Sequence, residues 1–110
     1  YDTITYCADG KCAIVWVTLD MLKSLNIGED EIEGLASIPR QIEGVLIGIT
    51  MKEKEGGFFK ISVRTNGDID AAKFCSKFGG GGHKAAAGCS INGSLEDVRS
   101  QLIKAAEETL

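Results

Sequence analysis

Apolar residues change their spacing several times along this chain, and each change marks an element. Thr3–Ala8 and Cys12–Val17 are β-rich runs on either side of Asp9-Gly10, a dipeptide that favours hairpin turns because both residues tolerate positive φ. Leu19, Leu22 and Leu25 then recur at helical spacing behind Thr18, whose hydroxyl can cap a helix over Thr18–Leu25. Glu29–Leu35 reads as a short acidic helix, and Pro39 breaks the chain before Arg40–Glu43. Val45, Ile47, Ile49 and Met51 alternate with smaller or polar residues, as on one face of a strand. After the Gly56-Gly57 turn, Phe59, Ile61, Val63 and Thr65 alternate again as its partner, with Arg64 on the opposite face. Asp68 or Asp70 caps a helix running to Phe78, with Ala71, Cys75 and Phe78 on one side. Ala85–Ile91 is a strand of small residues. Ser94, with Asp97 at the capping-box position, opens a last helix that turns Leu95, Val98, Leu102 and Ala105 or Ala106 inward. Hairpins dominate the pairing. The expected fold is a single α+β (or α/β) domain over residues 1–110: a mixed sheet with an N-terminal β-hairpin, flanking helices and a C-terminal helix.

Composition adds boundaries to that picture. The chain has 110 residues, enough for one modest core and too few for two. Its longest apolar run, Ala13–Val17, is too short to span a bilayer, and no signal-peptide pattern opens it. A cytoplasmic protein with no membrane partner is the expectation. Tyr1 is not an initiator methionine, so the chain is expected to be cut from something longer. Net charge is −4, but Lys60, Arg64, Lys73, Lys77 and Lys84 outnumber Asp68 and Asp70 in the segment 60–84. The remainder is strongly acidic. That distribution disfavours a wide groove for long nucleic acid and leaves room for a small local anion site.

Cys7, Cys12, Cys75 and Cys89 form no C-x-x-C pair, and with one histidine in the chain a zinc site is poorly supported. The Asp9-Gly10 turn places Cys7 opposite Cys12. With Ala8 and Lys11 closing a two-residue loop, the two would form a non-hydrogen-bonded pair about 4.5 Å apart at Cα, near the ~4.4 Å short limit for a disulfide. Two reduced cytosolic thiols are nonetheless the expectation, with the disulfide as the alternative. Trp16, Phe58 and Phe59 read as core residues, with base stacking as the competing role.

Candidate chemistry concentrates in Gly79–Gly88, GGGGHKAAAG. Gly79 follows a helix end and fits a C-cap, with Gly80 as a second capping residue. Capping leaves Gly81 and Gly82 unexplained. Successive glycine N–H groups can form a concave nest for an anion, and no side chain holds the ligand off the backbone. His83 and Lys84 add donors for phosphate oxygens, and Arg64 offers a bidentate fork if its strand end faces the loop. The P-loop does not fit, since it requires Gly-Lys-Ser/Thr and Lys84 precedes Ala85. A dinucleotide fingerprint does not fit either, since this loop follows a helix and precedes a strand.

Val63-Arg64-Thr65, Ile69-Asp70-Ala71 and Phe78 through Gly88, taken together, resemble the DHH-associated domain, the C-terminal half of DHH-family phosphoesterases. Glu33-Gly34-Leu35, Ile42-Glu43-Gly44-Val45 and Gly93 through Val98 are similar to the same family. The likeness runs from about Glu29 to the end and is greatest to the nanoRNase/oligoribonuclease and phosphoadenosine-phosphate phosphatase branch. It implies a substrate-binding domain whose catalytic DHH domain lies outside this chain. Arg64, Gly80, Gly81, Gly82, His83 and Lys84 are the substrate-binding residues it points to, holding a nucleotide phosphate or the end of a short single-stranded oligonucleotide. It implies no catalytic or metal-binding residue here. Divalent metal, usually manganese, belongs to the companion domain and activates the attacking water. A homodimer of the parent is compatible with it. Ala85 stands where many relatives carry a longer, often basic residue, and Thr65 where serine is usual. A RecJ-like single-strand exonuclease, a cyclic-dinucleotide phosphodiesterase and a stand-alone non-catalytic nucleotide-binding domain are the alternative parents.

Overall fold

The computed structural model describes residues 4–25 and 42–110. Its elements run β1 (Ile4–Cys7), β2 (Cys12–Val17), α1 (Leu19–Leu25), β3 (Ile47–Lys54), β4 (Phe58–Thr65), α2 (Ala71–Ser76), β5 (Gly81–Gly82), β6 (Ala86–Asn92) and α3 (Leu95–Thr109). The acidic helix expected over Glu29–Leu35, and the break at Pro39, lie outside the described residues.

The strands form one sheet in the order β1-β2-β3-β4-β6-β5. β2 and β3 are parallel, and the other neighbours are antiparallel. The sheet is therefore mixed and the fold α+β. The central pair β2 and β3 is buried on both faces, which accounts for the unbroken apolar run at Ala13–Val17. Lys52 on β3 is buried with its neighbours for the same reason.

The core lies on one face. Cys12, Ile14 and Trp16 share it with Ile47, Ile49, Met51, Phe59, Ile61, Val63, Ala87, Cys89 and Ile91, in agreement with the strand alternation. Helix α2 contributes Ala71, Phe74 and Cys75, and α3 contributes Val98, Leu102, Ala105 and Ala106. Trp16 is 9% exposed, with the Arg99 guanidinium 4.9 Å from its ring centre, so its face is taken by α3. Phe59 is buried and Phe58 half-buried.

Local capping chemistry accounts for the helix ends. Met21 N–H donates to Thr18 Oγ1, Lys73 N–H to Asp70 Oδ1, and Asp97 N–H to Ser94 Oγ. At the other end of α2, Gly80 N–H donates to Cys75 O and Gly79 N–H to Ser76 O, with Gly79 at φ +81°. That pair of bonds is the Schellman arrangement, and it makes Gly79 the terminating glycine.

The first hairpin differs in detail from expectation. Its loop spans four residues, with Ala8, Asp9 and Gly10 all at positive φ. It is closed by Gly10 N–H to Cys7 O and Lys11 N–H to Ala8 O. Cys7 and Cys12 are nonetheless directly opposite, and they are unbridged. Burial pushes the Cys12 thiol far above the ordinary thiol range, and Cys7 beside it adds to the shift. Cys75 is also driven up, first by its hydrogen bond to Cys89 and then by burial. A thiol held protonated is a poor nucleophile. Cys12 and Cys75 are therefore expected to resist an alkylating reagent at pH 8 in the folded chain and to react on unfolding, as peptide mass spectrometry would show. The sign for stability follows. The folded-state pKa of Cys12 lies above the unfolded one, so at this site the native state binds more protons once pH exceeds the unfolded thiol's pKa of ~8.5. The urea midpoint should fall from pH 8 to pH 10, and less steeply in Cys12→Val.

Candidate functional site

The segment from Gly79 to Gly88 is a small hairpin set against α2. His83 N–H donates to Ala86 O at 2.8 Å and Ala86 N–H to His83 O at 3.3 Å, which closes a turn with Lys84 and Ala85 at its tip. Below the turn Gly82 faces Ala87 and Gly81 faces Gly88, so β5 is a strand where the sequence suggested only loop. The signal was absent because alternation is read from side chains, and this strand has none.

Three glycines have structural explanations. Gly79 terminates α2. A Cβ on Gly80 would lie 2.2 Å from Gly88 O and 2.5 Å from the Cys89 Cβ. A Cβ on Gly82, at φ +152°, would lie 2.6 Å from the Ala87 Cα. Gly81 differs: a Cβ there meets nothing within 4 Å. The space beside the loop therefore opens at Gly81. Gly80→Ala should destabilise the fold by about 1–3 kcal/mol through overpacking. Gly81→Ala should stay within about 0.5 kcal/mol of the parent chain. Urea unfolding of the two variants checks the contrast.

The glycine amides are largely committed. Those of Gly79 and Gly80 donate to main-chain carbonyls, as does the amide of His83 that follows the run. In an antiparallel ladder, hydrogen-bonded and non-bonded pairs alternate. With His83–Ala86 a bonded pair, Gly82–Ala87 is non-bonded, and the Gly82 amide turns to the open edge at β5. A run of successive free amides, as the four glycines suggested, is not what forms here. The fold uses most of these donors to hold the hairpin.

Register brings Arg64 and His83 together. Arg64 pairs with Ala86 across β4 and β6, and Ala86 pairs with His83 across the turn. Directly opposed residues share a face of the sheet. Arg64, Ala86 and His83 thus form one row on the face away from α2 and α3. Two strand spacings separate its ends, or about 10 Å. Ser62, Gly88 and Gly81 make the next row. The result is a floor of small residues between a guanidinium and an imidazole. His83 is exposed and Arg64 half-buried, its Nη1 donating to Val63 O at 3.3 Å.

Lys84 takes another direction. It lines an open cleft of about 490 Å³ with Asp68, Ile69, Asp70, Lys73, Phe74, Lys77, Glu108 and Thr109, between α2 and the end of α3. The two basic residues of the loop therefore serve different surroundings. Among the described residues no group of three His, Cys, Asp or Glu side chains could hold a metal ion. Among the described residues the donors present do not fit a two-metal centre. No helix among the described residues is long and apolar enough to cross a membrane.

Over 83 residues the chain is 30% identical to the bifunctional oligoribonuclease and PAP phosphatase NrnA of Thermus thermophilus, covering 74% of this chain and 25% of that enzyme. An exopolyphosphatase-related protein from Bacteroides fragilis superposes with a TM-score of 0.84 at 23% identity, over 97% of this chain and 32% of its own. The pGpG-specific phosphodiesterase PggH of Vibrio cholerae gives 0.61 at 15% identity, over 99% and 36%. The C-Ala domain of Aquifex aeolicus alanyl-tRNA synthetase gives 0.62 at 16%, over 97% of this chain and 96% of its own. These three likenesses establish the fold. The chain spans a quarter of the curated relative's length and about a third of the first two structures. The DHHA1 domain profile matches residues 9–110, nearly the whole sequence, and the chain belongs to the DHHA1 domain family.

Proposed function

We propose that this chain is the substrate-holding domain of a metal-dependent phosphoesterase that acts on short oligonucleotides or nucleotide phosphates. The observation that carries the reading is the single cross-strand row Arg64–Ala86–His83 on an open face of the sheet. A guanidinium and an imidazole flanking small residues can grip a phosphate while leaving space for a sugar or base. In this reading Arg64 and His83 contact the phosphate. Gly80 and Gly82 shape the hairpin, Gly81 leaves the approach open, and Lys84 adds charge at the tip. The 30% identity to an oligoribonuclease and PAP phosphatase supports that ligand class.

The hydrolytic chemistry belongs to a companion DHH domain, which carries divalent metal, manganese in this reading, and with it the activated water. The residues of this chain bind and orient the ligand, which raises the rate by fixing the phosphorus in line for attack. A cytoplasmic setting is part of the proposal.

The full-length protein and this chain alone should be assayed side by side with manganese. Substrates should include a diribonucleotide, pGpG and phosphoadenosine phosphate. The full-length protein is expected to release mononucleotide or inorganic phosphate, and the chain alone to show no turnover. Hydrolysis by the chain alone would overturn the division of labour. Failure of the full-length protein on every substrate would overturn the ligand class.

A further inference from the structure

We infer that Thr65 is a positioning residue that sets His83 relative to Arg64, an inference that rests on the proposed phosphate site. Thr65 follows Arg64 directly at the end of β4, yet its side chain turns to the opposite face and is 4% exposed. Its Oγ1 donates to Lys84 O at 3.1 Å, and its backbone N–H donates to Ala85 O at 3.1 Å. Both acceptors are the tip residues of the turn that follows His83.

The Lys84 carbonyl is held twice, since Ala71 N–H at the start of α2 also donates to it at 2.6 Å. Strand β4, the hairpin tip and α2 therefore meet at one carbonyl oxygen. The backbone bond from Thr65 fixes the tip along the strand. The hydroxyl ties the Lys84 carbonyl to β4, while Ala71 N–H ties the same oxygen to α2. Because Lys84 is bonded to His83 in the chain, losing the tie to β4 would let the tip shift toward α2 and carry the imidazole away from the Arg64 row. One residue thus ties both sides of the ligand contact together, Arg64 through the peptide bond and His83 through the turn.

Removing the hydroxyl leaves no orphan acceptor, because Ala71 still serves Lys84 O. Thr65→Val nearly preserves side-chain volume, so its effect should fall on geometry more than on folding. The test uses the full-length protein and a phosphorothioate diribonucleotide that resists hydrolysis. Thr65→Val should weaken binding about 3- to 10-fold, the factor expected for one net hydrogen bond. Thr65→Ser, which keeps the hydroxyl, should bind within about twofold of the parent. If valine is not tolerated, Thr65→Ala removes the same group.

The deciding measurement is a double-mutant cycle. In a His83→Ala background the Thr65→Val penalty should vanish, since the side chain being positioned is gone. An equal penalty with and without His83 would overturn the inference, as would a serine variant as weak as valine. If His83→Ala and Arg64→Ala leave binding unchanged, the phosphate-site reading itself has failed, and the two failures are distinguishable.

Discussion

Arg64→Ala and His83→Ala, each made in the full-length protein, are expected to lower kcat/KM on a short oligoribonucleotide by about 10- to 150-fold. Each removes a charge-assisted hydrogen bond to phosphate, worth about 1.5–3 kcal/mol. Tenfold corresponds to about 1.4 kcal/mol, which gives that range. Neither change should disturb the fold. His83 is exposed, and its backbone bonds to Ala86 do not involve the imidazole. Arg64 makes a long side-chain bond to Val63 O, which a truncation forfeits at little cost. Arg64→Lys should recover only part of the loss, because an ammonium cannot reproduce the planar fork. The double variant should lose less than the product of the two factors, since both groups flank one small floor. Kinetics unchanged in both single variants would remove the assignment of this face as the ligand site.

Phe74→Ala is the substitution with the largest expected effect on stability, about 3–5 kcal/mol. Domains of this size have total stabilities of about 5–15 kcal/mol. Phe74 is 1% exposed and is the largest fully buried side chain among the described residues. Its ring centre lies 6.1 Å from that of Phe78 at 51°, and the Lys77 Nζ sits 5.8 Å from its centroid. The ring is the main anchor of α2, a helix of six residues too short to persist without packing. Helix α2 in turn holds the hairpin tip through Ala71 N–H to Lys84 O. The variant should therefore show a lower urea midpoint and faster hydrogen exchange at the Ala71 amide. A loss below about 1 kcal/mol would mean that α2 is held by other contacts.

Much of the fold was legible because its causes are local. Alternation at Ile47–Met51 and Phe59–Thr65 requires only that successive strand residues point to opposite faces. The caps at Thr18, Asp70, Ser94 and Gly79 act within five residues of themselves; three appear where they are expected, and the structure chooses Asp70 over Asp68 for the fourth. The DHHA1 resemblance was legible for a related reason, since a glycine run with a fixed basic neighbour is a strictly local pattern. The four-residue loop at Ala8–Lys11 was misjudged as two residues because non-glycine residues at positive φ leave little mark in sequence.

GGGGHKAAAG by itself pointed to a candidate site and to phosphate as the proposed ligand chemistry. Tertiary structure decided how the segment is used. Gly80 and Gly82 are glycine because β6 passes within a Cβ radius of them, and most of their neighbours' amides serve the hairpin rather than an anion. Register, a product of pairings far apart in sequence, put Arg64 and His83 in one row and sent Lys84 to a different cleft. Residues adjacent in the chain parted, and residues nineteen apart came to share one row. The physical reason is that side-chain direction follows from which strand a residue pairs with, and only the assembled sheet fixes that pairing.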